Sequence, residues 1–269
     1  MERHSLRYRW LVTDLDGTLL DRRQRIVTRS HHALDRFQEL GGTVLIATGR
    51  IESSALPYYR ELGLHTPAIL HNGARVVDLS TDRTLLRREL PERSVAAIVK
   101  VAESVDFPCS FAVFSGRTAY VTAVDSALSG YASRDGLEFE IRAEVSDLRA
   151  SKVLLIAAER DQTALLAELA NVDGTHVVQS ERTYLEVLPE HTDKGSALDW
   201  LLRENSVAAA DVVAIGDGMN DVAMIGRAGL GACVSDAQPD VAAMADLIVG
   251  SCTAGGVADV VDLAINGLR

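Results

Sequence analysis

Two carboxylates stand at the end of the chain's first apolar run: in LVTDLDGT, Asp14 and Asp16 are two residues apart and Gly17 follows at once. Residues two apart on a strand point the same way, so both carboxylates converge where the strand stops. Carboxyl ends of parallel strands are where such sheets take their ligands. A second apolar run, TVLIA, delivers Thr48 to the turn ATGR, where its hydroxyl and the backbone N–H groups near Thr48 and Gly49 could hold a phosphate. A third, DVVAIG, ends in GDGMND, with Asp217 and Asp221 four apart and Asn220 between them. After AILHNG, the residues His71, Asn72 and Gly73 fall in the same kind of position.

Each feature alone also suits local chemistry: an Asp-Gly turn, an N-cap at Thr48, Asp193 or Asp221, or a hydrogen-bonded core histidine at His71. Local chemistry explains Asp217 less well, since a second apolar strand again ends in a carboxylate; Lys194, in TDKGSALDWLL, occupies the first turn of an amphipathic helix, where a cation opposes the macrodipole, while a surface lysine beside an Asp193 N-cap is an equal reading of that segment. Together the strand ends gather Asp14, Asp16, Asp217 and Asp221, which repel one another unless neutralised. An oxygen-seeking divalent cation, most simply Mg²⁺, would do that while keeping positions free for water and a phosphate oxygen. Lys194 would add a second positive group.

The elements that must position these residues are legible as alternation. RWLVTD, a helix near Ser30 to Leu40, TVLIAT, a helix near Glu52 to Leu62 and AILHNG read as strand and helix in turn, and the pattern resumes with DVVAIGDG, a helix from about Asp221 to Ala228, GLGACVS, a helix containing DVAAMA, and DLIVG. The strands are apolar at successive positions, as sheets covered on both faces require. Between these halves ARVVDLSTDRTLLRREL reads as a two-stranded excursion. From about Pro91 the order is helix, a hairpin of SFAVF and TAYVTAV around Ser115-Gly116-Arg117, helix, SKVLLIAA, helix and HVVQSERTYLEVL. The expected fold is α/β: a doubly wound, Rossmann-like parallel-sheet core from 1–90 and 187–269, with an α/β cap of 91–186 inserted.

At 269 residues, 47% hydrophobic and 24% charged, the chain can bury a sizeable core. A net charge of −11 argues against nucleic acid as a partner, since phosphate backbones are gripped by clustered Lys and Arg. Cys109, Cys233 and Cys252 lack the spacing of a zinc site or a disulfide framework. The charged start, MERHSLRYRW, has no apolar signal core, and no apolar run nears the ~20 residues that span a bilayer. A cytoplasmic protein without a membrane partner is the expectation.

DLDGT at 14–18, ATGR at 47–50, Lys194 in DKG and GDGMND at 216–221, in that order and with NGA at 72–74, resemble the motifs of the haloacid dehalogenase superfamily, Cof-like phosphatase branch. The resemblance implies a phosphoric monoester hydrolase in which Asp14 is the nucleophile that forms a phosphoaspartate. Asp16 would be the general acid and then the base, and Thr48 and Lys194 would hold the phosphoryl group. It further implies Mg²⁺ held by Asp14, Asp16 (through its backbone carbonyl) and Asp217, with Asp221 supporting and Asn220 near the phosphate. The substrate would be a small phosphorylated metabolite, a sugar phosphate first among them; a phosphomutase and a non-catalytic sugar-phosphate binding protein are the rivals. Two departures from the pattern are Ser235-Asp236-Ala237, where relatives carry Asn-Ala, and TAGGV at 253–257, which lacks an acidic residue before its Gly-Val. In the cap, Arg117, Arg182 and Tyr184 are named as specificity residues.

Overall fold

The computed structural model describes residues 6–267; the first five residues of the charged amino-terminal stretch lie outside them. The first half of the core runs β1 (Trp10–Thr13), α1 (Thr28–Glu39), β2 (Thr43–Ile46) and α2 (Glu52–Glu61). An excursion of β3 (Ala68–Leu70), β4 (Arg75–Asp78) and β5 (Arg83–Arg87) follows. Next come α3 (Glu92–Ser104), β6 (Cys109–Ser115), β7 (Thr118–Val121), α4 (Ser126–Asp135), β8 (Phe139–Ile141), β9 (Lys152–Ala157), α5 (Gln162–Leu169), β10 (Thr175–Glu181) and β11 (Tyr184–Pro189). The chain closes with α6 (Lys194–Glu204), β12 (Val212–Gly216), α7 (Val222–Ile225), β13 (Leu230–Val234), α8 (Pro239–Met244), β14 (Leu247–Val249) and α9 (Gly256–Asn266).

The core sheet has the order β14-β13-β12-β1-β2, and every pairing in it is parallel. Its strands bury both faces. Leu11, Ile46, Val213 and Ile215 pack with Leu34 and Phe37 of α1 and Val257, Val260 and Val261 of α9. Val12, Leu45, Val212 and Ala214 pack with Ala197, Leu198, Leu201 and Leu202 of α6. Sequence order runs outward from β1 in one direction and from β12 in the other. The crevice between their carboxyl ends is therefore the topological switch point, where this architecture takes ligands. The α/β class read from the sequence is borne out.

The structure differs from the reading at three places. AILHNG does not extend the parallel sheet; β3 pairs antiparallel with β4, which pairs with β5, and this sheet is tied to the core by the bridge of Ala47 with Ile69 and by backbone bonds between the turn after β2 and residues 69–72. The cause is local. His71 and Asn72 adopt left-handed backbone (φ 49° and 51°) and Gly73 follows at 96°, folding the chain back on itself. Second, the stretch after α4 contains a short edge strand, β8, parallel to β7, in a region read as helix alone. Third, the helix after GDGMND is one turn, Val222–Ile225, preceded by a 3₁₀ turn over Met219–Asp221.

The second large sheet, β10-β11-β9-β6-β7-β8, carries α3 and α5 on one face, where Val95, Ile98, Leu165 and Leu169 meet Val113, Val153 and Leu155. On its other face Leu128 and Tyr131 of α4, with Leu137 just after it, join a cluster that also takes in Ile51, so α4 lies between this sheet and the core. β11 stays paired with β10 as far as Pro189, three residues beyond 186.

Gly73 combines a positive φ with contact. A Cβ there would lie 2.1 Å from the carbonyl oxygen of Asp193, at the start of α6, whereas one on Gly63 (φ 58°) would meet nothing within 4 Å. Gly63→Ala isolates the left-handed penalty, about 1–2 kcal/mol. Gly73→Ala adds a backbone clash and is expected to cost about 3 kcal/mol or more. Urea denaturation of both variants measures the gap; equal losses would mean that the loop and α6 are not in tight contact.

Candidate active site

The site begins where β1 and β12 stop. Asp14 directly follows β1 and is buried. Lys194 opens α6, whose N-cap is Asp193 in a capping box with Ser196, so Asp193 does cap the helix while Lys194 turns inward and is fully buried. Its ammonium donates to Asp14 Oδ1 at 2.5 Å and to Asp221 Oδ1 at 2.7 Å. The other oxygen of Asp221 accepts the N–H groups of Asp217 and Gly218, both at 3.0 Å, which closes the turn after β12. Asp217 accepts the Thr18 hydroxyl at 2.8 Å. Gly17 makes this approach possible: a Cβ on it would sit 2.5 Å from Asp217 Oδ2, and its φ is 78°.

Asp14, Asp217 and Asp221 each offer a carboxylate oxygen, and these atoms lie within 4.8 Å of one another. The electrostatics are unbalanced. Burial pushes the Asp14 carboxyl well up, and Asp221, Asp217 and Asp16 push it further against the attraction of Lys194. Burial, then Asp221, raises Asp217 to about 7. On Lys194 the attraction of Asp14 and Asp221 outweighs burial, so its ammonium stays charged. Three hard oxygen donors with more negative charge than one lysine neutralises could hold a divalent cation.

Asp16 stands apart from this trio. Its half-buried carboxylate receives Arg50 Nε and Nη2, both at 2.7 Å, and Gln24 also bonds Arg50. Burial alone would raise Asp16, but the bonds from Arg50 outweigh it and hold the group low. Thr48 is buried, and its hydroxyl accepts the Arg50 N–H at 3.1 Å; the N-cap of α2 is Ile51, not Thr48. The Gly49 carbonyl accepts Lys152 Nζ at 2.7 Å, and Lys152 is paired with Glu186 at 2.7 Å. Asn72 Oδ1 accepts Asn220 Nδ2 at 3.0 Å, while Asn72 Nδ2 is buried without a partner. His71 is a core histidine: its Nδ1 lies 2.7 Å from Ser151 Oγ and its Nε2 3.4 Å from Glu52 Oε2.

A cavity of about 410 Å³ opens over these groups, with Asp14, Asp16, Thr48, Gly49, Asp217 and Asn220 in its wall. Tyr184 also lines it, but the other two cap residues named from sequence do not. Arg117 is on the surface, paired with Asp82, and Arg182 is exposed beside Glu159. Sequence reasoning missed Arg134 and Glu181, which face the cavity, and gave no role to Arg50 although it closes the quoted ATGR. Glu186 did leave a signal, since it interrupts an otherwise apolar strand, and Lys152 stands at the head of one. The two departures from the motif pattern lie near each other: Asp236 accepts the N–H of Cys252, the residue before TAGGV, at 3.0 Å on the cavity rim.

Residues 11–261 match the family of haloacid dehalogenase-like hydrolases. This chain belongs to that family. An HMP-PP phosphatase of Yersinia pestis (strain Pestoides F) is 30% identical to the hydrolase over 237 residues, 86% of this chain and 85% of that protein. The crystal structure of a haloacid dehalogenase-like hydrolase from Bacteroides thetaiotaomicron is 26% identical, with a TM-score of 0.84 over 95% of this chain and 98% of that one. A sugar phosphatase of HAD subclass IIB, 20% identical, gives a TM-score of 0.83 over 94% and 98% of the two chains, a likeness of fold. The Cof-like branch and the enzyme class read from the motifs, phosphoric monoester hydrolase, accord with these relatives. Among the described residues no helix is long and apolar enough to cross a membrane.

Removing the ammonium of Lys194 leaves Asp14 and Asp221 buried against each other. Lys194→Met in the hydrolase, in the presence of a chelator, is expected to lose about 3–5 kcal/mol of stability. Lys100→Met, at an exposed position, should change it by no more than about 0.5 kcal/mol. Equal urea midpoints for the two variants would mean that this cation does not hold the carboxylates in place.

Proposed function

We propose that this hydrolase is a Mg²⁺-dependent phosphatase of small soluble phosphomonoesters, with sugar phosphates the leading class, and that it works through an aspartyl-phosphate. The observation that carries the reading is Asp14, a buried carboxylate at the switch point held 2.5 Å from Lys194 inside a cluster of carboxylates. Asp14, the Asp16 backbone carbonyl and Asp217 would hold the Mg²⁺, with Asp221 behind them. The unbalanced negative charge around Asp14 and Asp217 supports that fit. When bound, the cation neutralises charge on the nucleophile and the phosphoryl oxygens.

An oxygen of Asp14 attacks phosphorus in line with the leaving alkoxide, which departs with a proton from Asp16. Water then attacks the phosphoaspartate, with Asp16 taking its proton, and Asp14 is regenerated with release of inorganic phosphate. Lys194, Thr48 and the backbone at Gly49 stabilise the equatorial oxygens. Asn220 lines the same space with Asn72 bonded behind it, and the unpartnered amide of Asn72 is a donor in want of an acceptor. With Arg50 on both nitrogens of its fork, Asp16 is ionised, the state a base needs; its turn as acid requires it to part from Arg50 when substrate arrives. Residues 91–186 act as a cap that covers the strand ends and keeps bulk water from the reaction.

Phosphate release from p-nitrophenyl phosphate and a panel of metabolite phosphomonoesters tests the reading and separates it from a phosphomutase, which releases none. Asp14→Asn should lower turnover by about 10³-fold or more with the fold intact. Asp16→Asn should cost alkyl phosphates about ten times more than aryl phosphates, whose leaving groups need no proton. A variant Asp14→Asn close to wild type would remove the nucleophile assignment.

Metal binding has its own readout. Mg²⁺ at about 100 times its Kd should stabilise the wild-type protein by about 2.7 kcal/mol over the chelated form, seen as a rise in Tm, and Asp217→Asn should lose most of that rise. Full turnover after exhaustive chelation would end the Mg²⁺ proposal.

A further inference from the structure

The wall of the cavity opposite Asp14 is made by α4 and by the turn between β10 and β11, and its charges are already committed to one another. Arg134, in the last turn of α4, lies 5.5 Å over the Tyr131 ring and 5.1 Å over the Tyr184 ring. Its Nε donates to Asp135 Oδ1 at 2.9 Å and its Nη1 to the carboxylate of Glu181. Two of the three guanidinium nitrogens are thus bonded to carboxylates. Glu186, also in the wall, is taken up by Lys152. On the core side Arg50 is held by Asp16 and Gln24, which leaves Arg22, exposed on the rim, as the cation nearest to free.

We propose that Glu181 and Asp135, by consuming the charge of Arg134, make this wall select phosphomonoesters whose remaining part is uncharged and hydroxyl-rich, and reject those that carry a second anionic group. The inference rests on the phosphatase reading and adds the residues that set its selectivity and the exclusion of a second anionic group. The chemistry follows from the inventory of donors and acceptors. A hydroxyl can donate to the Glu181 or Asp135 carboxylate and accept from the remaining N–H groups of Arg134, so every group in the wall stays paired. A second phosphate or carboxylate offers only acceptors. It meets one guanidinium already shared by two carboxylates, and to win that guanidinium it must leave at least one of them unpaired in a half-enclosed site. The wall discriminates by a repulsive element as much as by an attractive one. Tyr131 and Tyr184, flanking the guanidinium, keep it from swinging away to serve a larger anion elsewhere.

The test compares glycerol 3-phosphate with 3-phosphoglycerate, which differ in a hydroxymethyl group against a carboxylate at the end remote from the phosphate, with p-nitrophenyl phosphate as a probe of the core chemistry alone. The wild-type enzyme should favour glycerol 3-phosphate in kcat/KM by about tenfold or more. Glu181→Gln, at an exposed position of the hairpin where folding tolerates the change, should move the ratio at least about tenfold toward 3-phosphoglycerate. Arg134→Gln, which leaves both carboxylates without their cation, should move it the opposite way. If p-nitrophenyl phosphate is cleaved in an Asp14-dependent manner but the ratio is near one in the wild type or unmoved in Glu181→Gln, the substrate inference falls and the phosphatase reading stands. A wild-type preference for 3-phosphoglycerate that vanishes in Arg22→Ala would also overturn it, by assigning second-anion binding to the rim. If p-nitrophenyl phosphate is not cleaved at all, the phosphatase reading fails and takes the inference with it.

Discussion

The carboxylates of Asp14, Asp217 and Asp221 are driven together by the topology and apart by their charge, and the ammonium of Lys194 bonds two of the three at once. Much of the local architecture is a consequence of bringing that ammonium in. Lys194 must begin a helix, against the macrodipole, because only there does its short path reach both β1 and β12 ends. The helix must start hard against the β3–β4 turn, where Gly73 leaves room for the Asp193 carbonyl. Asp221 must bridge, giving one oxygen to Lys194 and the other to the backbone of the GDG turn. Even Gly17 belongs to this arrangement, since a side chain there would drive Asp217 out of the cluster. Removing any one of these features leaves a buried charge or a buried amide without its partner, which is the costly outcome inside a protein.

A second layer of polar contacts fastens the six-stranded sheet to this centre. Lys152, fully buried in β9, donates to the Gly49 carbonyl, so the turn that carries Thr48 is bonded from above. Ser151 meets His71, the residue before Asn72, and Ser54 of α2 bonds the Asp135 carbonyl at the end of α4. Burial depresses the His71 imidazole, and Glu52, the group that opposes this, is itself held down to about 2, mainly by His71 and Arg75 against the cost of burial. These contacts fall on the same short loops that carry the candidate site residues. A movement of the sheet away from the core is therefore felt at Thr48 and Asn72 without any rearrangement of the parallel sheet.

How much of this was legible follows from the range of each signal. The strand ends were, because an apolar run that stops at Asp14, Thr48 or Asp217 declares both the strand and the position of its last side chain within a few residues. The inward turn of Lys194 was hinted at by its unfavourable place on the helix. What was not legible depends on pairs far apart in the chain. Nothing local says that Arg50 will close on Asp16 rather than face a phosphate, or that Lys152 will cross to Gly49. β3 was read into the wrong sheet because its apolar composition is the same in either setting, and the two left-handed residues that turn it back have no hydrophobic pattern. Arg117 and Arg182 looked like cap ligands because they are cations near turns; which face of the hairpin they occupy is fixed by the register of β6 with β7 and of β10 with β11.

The cavity's charges, taken together, are distributed in a way that separates its two tasks. On the floor, negative groups outnumber the cation, an excess that the divalent cation proposed for this site would offset. On the far wall Arg134 is matched or exceeded by Asp135 and Glu181 before anything binds. Arg50 and Asp16 sit between the two, joined as a neutral pair. With that cation bound, an anionic phosphoryl group would be drawn toward the floor and find no competing attraction on the wall, which would fix the orientation of a substrate that has one anionic end. A substrate with two would present its second charge to a surface that has none to give, and the chain achieves this with side chains from α4 and one hairpin turn, leaving the strand-end chemistry untouched.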